Sequence, residues 1–85
     1  MKTSESIEIT KRFFQAADHL IKEKEFEGIR DFCRKFEINP GYYYNMKNNP
    51  ETYSVKIDHL SRIVKTYNVS ATWLLIGKGE MMEKE

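Results

Sequence analysis

Apolar residues recur along this chain at three- and four-residue spacing, in runs separated by short polar or turn-forming stretches. Ile9, Phe13, Ala16, Ala17 and Leu20 line one face of a first helix, from about Ser6 to Lys24. Phe14 and Ile21 widen that stripe, and Lys11, Asp18, Lys22 and Glu25 occupy the opposite side. Gly28 reads as a break. A second helix covers Ile29 to Phe36, with Ile29, Phe32, Cys33 and Phe36 inward and Arg30, Asp31, Arg34 and Lys35 outward. Then comes Asn39-Pro40-Gly41. Asn39 is a good N-cap, and Pro40 suits the first helical position, where a missing N–H costs nothing. A third, brief helix therefore starts at Pro40, a few residues after the second ends, and runs to about Lys47. So short a turn predicts a steep crossing of the two helices.

Asn48-Asn49-Pro50 ends the third helix, because Pro50 cannot continue it. A fourth is predicted from Val55 to about Tyr67, with Ser54 as its cap and Ile57, Leu60, Val64 and Tyr67 inward. Ser70 caps a fifth, Ala71 to Ile76, and Gly77 stands where a left-handed C-terminal residue is needed. Strand-like alternation is absent, and two prolines and four glycines in 85 residues leave most of the chain uninterrupted. The expected fold is all-α, one compact domain of five helices over residues 1–78. Residues 79–85 read as a frayed tail or linker.

Composition narrows the function. Cys33 is the single cysteine, so no disulfide framework and no cysteine metal cluster form within one chain, which fits a cytoplasmic protein. No apolar run has the roughly 20 residues of a membrane helix. The net charge is +1, but residues 28–65 hold seven basic side chains against four acidic ones. Positive charge is thus concentrated around the second to fourth helices. His19 and His59 stand far apart with no carboxylate or cysteine set at metal spacing, and they read as surface or packing histidines. Cys33 sits on an apolar face and reads as a structural thiol. No acid–base pair, nucleophile arrangement or phosphate-cradling glycine loop is visible, so neither an enzyme nor a cofactor or small-molecule site is expected.

Two segments together resemble the lambda-repressor-like (XRE-type) helix-turn-helix family. The first is Ile29–Asn48, IRDFCRKFEINPGYYYNMKN. The family's twenty-residue unit has apolar residues at its fourth, eighth, tenth, fifteenth and eighteenth places, here Phe32, Phe36, Ile38, Tyr43 and Met46. Its fifth place, where the helices cross most closely, takes a small residue, here Cys33. The second segment is Val69–Met81, VSATWLLIGKGEM, which is similar to the VS-x-x-WLL-x-G-x-G-x-M ending of many such repressor domains. The resemblance spans nearly the whole chain. There are two departures. Glu37 stands where the family commonly has Gly, so the turn either avoids a positive φ or accepts strain. Ile29 replaces a frequent Gln, and that residue's contact is not carried over.

The resemblance implies a bacterial or phage transcription regulator, a repressor in the first instance, that binds double-stranded DNA as a homodimer with the helix at 40–47 in the major groove. Its base-contact candidates are Asn39, Gly41, Tyr42, Tyr44, Asn45 and Asn48. Asn45 leads, because an amide pairs bidentately with adenine, and Tyr44 offers a ring to a thymine methyl or a hydroxyl to a phosphate. Tyr42 and Tyr44 are equally readable as idle surface aromatics. Phosphate candidates are Arg30, Lys47, Tyr53 and Lys56. Trp73 and Leu74-Leu75-Ile76 read as core or dimer surface. Two alternatives stay open: a protein-interaction module of the same fold (an antitoxin or adaptor), and the N-terminal head of a longer phage-type repressor.

Overall fold

The computed structural model describes residues 3–83. Among these lie five helices and no strand: α1 (Ser4–Lys22), α2 (Ile29–Phe36), α3 (Pro40–Asn48), α4 (Ile57–Tyr67) and α5 (Ala71–Ile76). No helix among them is long and apolar enough to cross a membrane.

Capping explains most boundaries. The Thr3 side chain accepts from the Ser6 amide at 3.1 Å and starts α1 two residues earlier than its apolar stripe suggests. At the other end, Lys24 takes φ +66°, the Glu25 amide donates to the Leu20 carbonyl, and the Lys24 amide donates to that of Ile21. This paired Schellman pattern ends α1 at Lys22, before the Lys24 expected from sequence. Glu37 does the same for α2: its φ is +57°, and the Ile38 amide reaches the Cys33 carbonyl at 2.8 Å. Of the two options the sequence left, the turn accepts the left-handed conformation with a non-glycine residue.

The core is aromatic. Phe13, Phe14, Phe26, Phe32, Phe36 and Tyr43 are all buried, and Phe32 and Phe36 stack at 4.3 Å with 11° between planes. Phe26 lies in the non-helical segment between α1 and α2, which reads as a polar break in sequence. Its ring packs on Phe32 at 4.9 Å and on Tyr67 at 4.9 Å, so the segment plugs the core.

Three expectations are corrected. Asp31 points inward: it accepts from the Glu27 amide at 3.0 Å and pairs with Arg34 and Lys35. That amide, then Lys35 and Arg34, hold its carboxyl below the ordinary carboxylate range against the opposing effect of burial. Next, α4 starts at Ile57 with Lys56 as its N-cap residue, so Ser54 does not cap it. Its buried side chains are His59 and Ile63, while Ile57 is 81 % exposed. Finally, residues 81–83 of the expected frayed tail are held. The Ser70 amide donates to the Met81 carbonyl and the Glu83 amide to that of Asn68, with Met81 and Met82 against the core. Residues 84 and 85 of that tail lie outside the described residues.

Ser70 and Gly77 bound α5 as expected. The Ser70 hydroxyl accepts from the Trp73 amide at 3.2 Å, and Gly77 takes φ +80°. Arg12 of α1 adds a tie, its Nε donating to the Leu74 carbonyl at 2.7 Å. A Cβ at Gly77 would stand 3.0 Å from Arg12 Nη1. Gly77→Ala is therefore expected to cost about 1–2 kcal/mol, from the left-handed backbone and a displaced guanidinium. Thermal melting checks this, and an unchanged Tm would mean neither constraint matters.

Candidate nucleic-acid interface

Only three residues, 37–39, separate α2 from α3. Asn39 Oδ1 accepts from the amides of Gly41 (2.8 Å) and Tyr42 (3.2 Å), which fixes the first turn of α3. A Cβ at Gly41 would meet that same oxygen at 3.1 Å, so glycine leaves the cap room. Asn39, a base-contact candidate, thus has its acceptor engaged by the backbone and keeps only its amide donors.

Tyr43 and Met46 are fully buried and seat α3 on the core. At 3.6 residues per turn, Gly41, Asn45 and Asn48 lie opposite them, and all three are exposed. Tyr42 and Tyr44 flank this stripe on its two sides, 37 % and 48 % exposed. The Tyr42 ring meets that of Tyr53 edge-on at 5.4 Å, and the Tyr44 ring packs on Tyr43 at 5.8 Å. The loop carrying Tyr53 is folded back by the Asn49 carbonyl, which accepts from the Thr52 and Tyr53 amides. The structure therefore gathers Gly41, Tyr42, Tyr44, Asn45, Asn48 and Tyr53 on and beside one helix.

The phosphate candidates divide. Arg30, in the first turn of α2, and Lys56, at the start of α4, are exposed, and Tyr53 is half-buried. Lys47 turns toward α1 instead, where its Nζ lies 2.9 Å from Asp18 Oδ1. Such a link depends on which helix packs beside α3 and has no local sequence signal. In the sequence Asn49 shows only its part in ending the helix. Its Nδ2 donates to the Asn45 carbonyl at 3.2 Å, and one turn separates it from Asn45 on the same face.

Two buried polar atoms have no hydrogen-bond partner among the described residues: Tyr43 Oη and His59 Nδ1. Burial, and then the Asp18 carboxylate, raises the Tyr43 pKa well above the ordinary phenol value. Tyr43→Phe removes an unpaired hydroxyl and keeps the ring, so it is expected to stabilise the fold by about 1 kcal/mol. Urea denaturation checks this, and a loss of similar size would reveal a hydrogen bond to Oη in solution.

Burial lowers the His59 pKa, and Lys56 and Arg62 add to the effect, while the Phe36 carbonyl and Asp58 oppose it. The unfolded chain takes up a proton as pH falls through about 6.5, before the folded chain does. His59 stability is therefore complete above that pH and is lost as pH falls through the lower folded-state value. The urea midpoint is expected to drop between pH 7.5 and 5.5, and less steeply in His59→Gln. Parallel slopes would assign the dependence to another group. Burial likewise pushes the Cys33 thiol up, away from the thiolate that a nucleophile needs.

In α5, Leu74 is buried and Trp73 half-buried, whereas Leu75 and Ile76 are 50 % and 64 % exposed. The run reads as one unit in the sequence, and helix geometry splits it. An apolar groove of about 510 Å³ runs between α4 and α5, lined in part by Ile57, Leu60, Val64, Leu74 and Leu75.

Comparison with protein-family models, with curated proteins and with solved structures found no match.

Proposed function

We propose that this protein binds double-stranded DNA sequence-specifically, as a helix-turn-helix transcription regulator of the repressor type acting as a homodimer. In this reading α2 and α3 form the motif, and α3 enters the major groove. The observation that carries it is the division of α3 into two faces. Tyr43 and Met46 anchor it, while Gly41, Asn45 and Asn48 are presented outward between two tyrosines. Amides and hydroxyls in that position are hydrogen-bonding groups suited to base edges. Arg30, Tyr53 and Lys56 are the side chains assigned to phosphates, which fix register rather than sequence. Lys47 stays in that set, its Nζ lying 2.9 Å from Asp18 Oδ1 in a solvent-exposed pair. No catalytic role is part of the proposal.

The test is selection of binding sites from a random duplex pool at low salt. A recovered motif with two-fold symmetry is the expected result, and its half-site spacing reports the dimer. Absence of any enriched sequence overturns the proposal. The apolar groove between α4 and α5, with a net charge of only +1, favours a second reading as a protein-interaction module. Affinity for DNA that falls steeply with salt separates the two, because counterion release accompanies phosphate contacts and not apolar docking.

A further inference from the structure

α3 carries one basic side chain, Lys47 in its last turn, and its sequence, PGYYYNMKN, holds no carboxylate. The basic one, Lys47, is half-buried against α1 and paired with Asp18. What the helix turns outward is therefore neutral: two asparagines, a glycine and two flanking tyrosine rings.

We infer that the half-site read by α3 is A·T-rich, with Asn45 paired to an adenine and the Tyr44 ring against a thymine methyl. This rests on the DNA-binding reading above and gives that site its ligand class. The reason is the donor and acceptor code of the major groove. Guanine presents two acceptors, N7 and O6, which call for a bidentate cationic donor such as Arg or Lys. The one such group on α3, Lys47, is directed toward Asp18 of α1 and not along the outward stripe. Cytosine presents an amino donor, which calls for a carboxylate, and α3 has none. Adenine presents one acceptor and one donor, N7 and N6, and a carboxamide matches both at once. Asn39 cannot supply that pairing, because its oxygen already accepts from the Gly41 and Tyr42 amides. Asn45 lies on the outward stripe, and its side chain is exposed. Tyr42 meets Tyr53 edge-on and Tyr44 meets Tyr43 edge-on; Tyr44, 48 % exposed against 37 % for Tyr42, is the more open of the two and next to Asn45 in the chain. Thymine is the base with a methyl group in this groove.

Selection from a random duplex pool, followed by base-analogue substitution in the recovered duplex, tests this. Half-sites made of A·T pairs where binding is most constrained support the inference. A motif that demands G·C pairs there overturns it and leaves DNA binding intact. No motif at all overturns the DNA reading itself. In the recovered duplex, deoxyuridine in place of thymine is expected to weaken binding about fourfold at the contacted position, the factor one buried methyl group supplies. Tyr44→Ser is expected to bind the two duplexes equally. Purine in place of adenine, which lacks the 6-amino group, is expected to weaken wild-type binding about tenfold and Asn45→Ala binding not at all. Wild-type affinity that ignores both substitutions overturns the assignment of these two residues. Both variants alter exposed positions, and circular dichroism verifies that they fold.

Discussion

Phe36→Ala is expected to remove about 3–5 kcal/mol of stability, the usual cost of deleting a buried aromatic ring together with the cavity it leaves. The ring is fully buried. It stacks on Phe32 at 4.3 Å and on Tyr67 at 5.6 Å, and it meets Phe13 at 6.0 Å and Phe26 at 6.1 Å. His59 and the Arg62 guanidinium approach it from α4, at 6.1 Å and 6.0 Å. One side chain therefore joins α1, α2, α4 and the segment between α1 and α2. Single domains are stable by only about 5–15 kcal/mol, so the variant is expected to be marginally folded at 25 °C. Phe36 is also the last residue of α2, immediately before the left-handed Glu37 that aims the chain into α3. The loss should therefore reach the proposed DNA surface as well as the core. Urea denaturation followed by circular dichroism measures it. A cost below about 1 kcal/mol would show that neighbouring rings close the gap and that Phe36 is not the hub described here.

Asn45→Ala is expected to cost about 1–3 kcal/mol of discrimination at one base pair while leaving the protein folded. The side chain is exposed. The hydrogen bonds that involve this residue's neighbour, from the Asn49 amide and Asn49 Nδ2, go to the Asn45 carbonyl, which alanine retains. Alanine is also the better helix former, so α3 gains slightly in local stability. Weaker binding then cannot be ascribed to unfolding. Repeating the site selection with the variant is the measurement: one position of the motif should become degenerate and the others persist. A motif identical to wild type would place α3, or its outward face, elsewhere than in the groove.

Local chemistry made much of this architecture legible in the sequence. The bounds of α2 and α5 and the start of α3 follow from apolar spacing and from capping residues. Asn39, Ser70 and Gly77 each satisfy backbone groups within four residues of themselves, so their roles are visible without neighbours. The same locality separated Tyr43 and Met46 from Gly41, Asn45 and Asn48: a period of 3.6 residues assigns them to opposite faces whatever packs against the helix. Left-handed ends at Lys24 and Glu37 were harder to see, because no glycine marks them.

Tertiary contact decided the rest. Phe26 looks like part of a charged, broken stretch until the rings of Phe32 and Tyr67 close around it. Asp31 looks like a surface acid until the Glu27 amide, Arg34 and Lys35 converge on it. Ile57 looks like core until α4 begins late and turns His59 and Ile63 inward in its place. Residues 81–83 look like a frayed end until the backbone of Asn68 and Ser70 pairs with them. For the candidate site the decisive case is Lys47. Its charge is plain in the sequence, but its direction is not. Asp18 lies 29 residues away, and the two meet because α1 packs beside α3. Periodicity and capping act over one or two turns and are written in neighbouring residues. A charge finds its partner across space, and only the packed chain determines which.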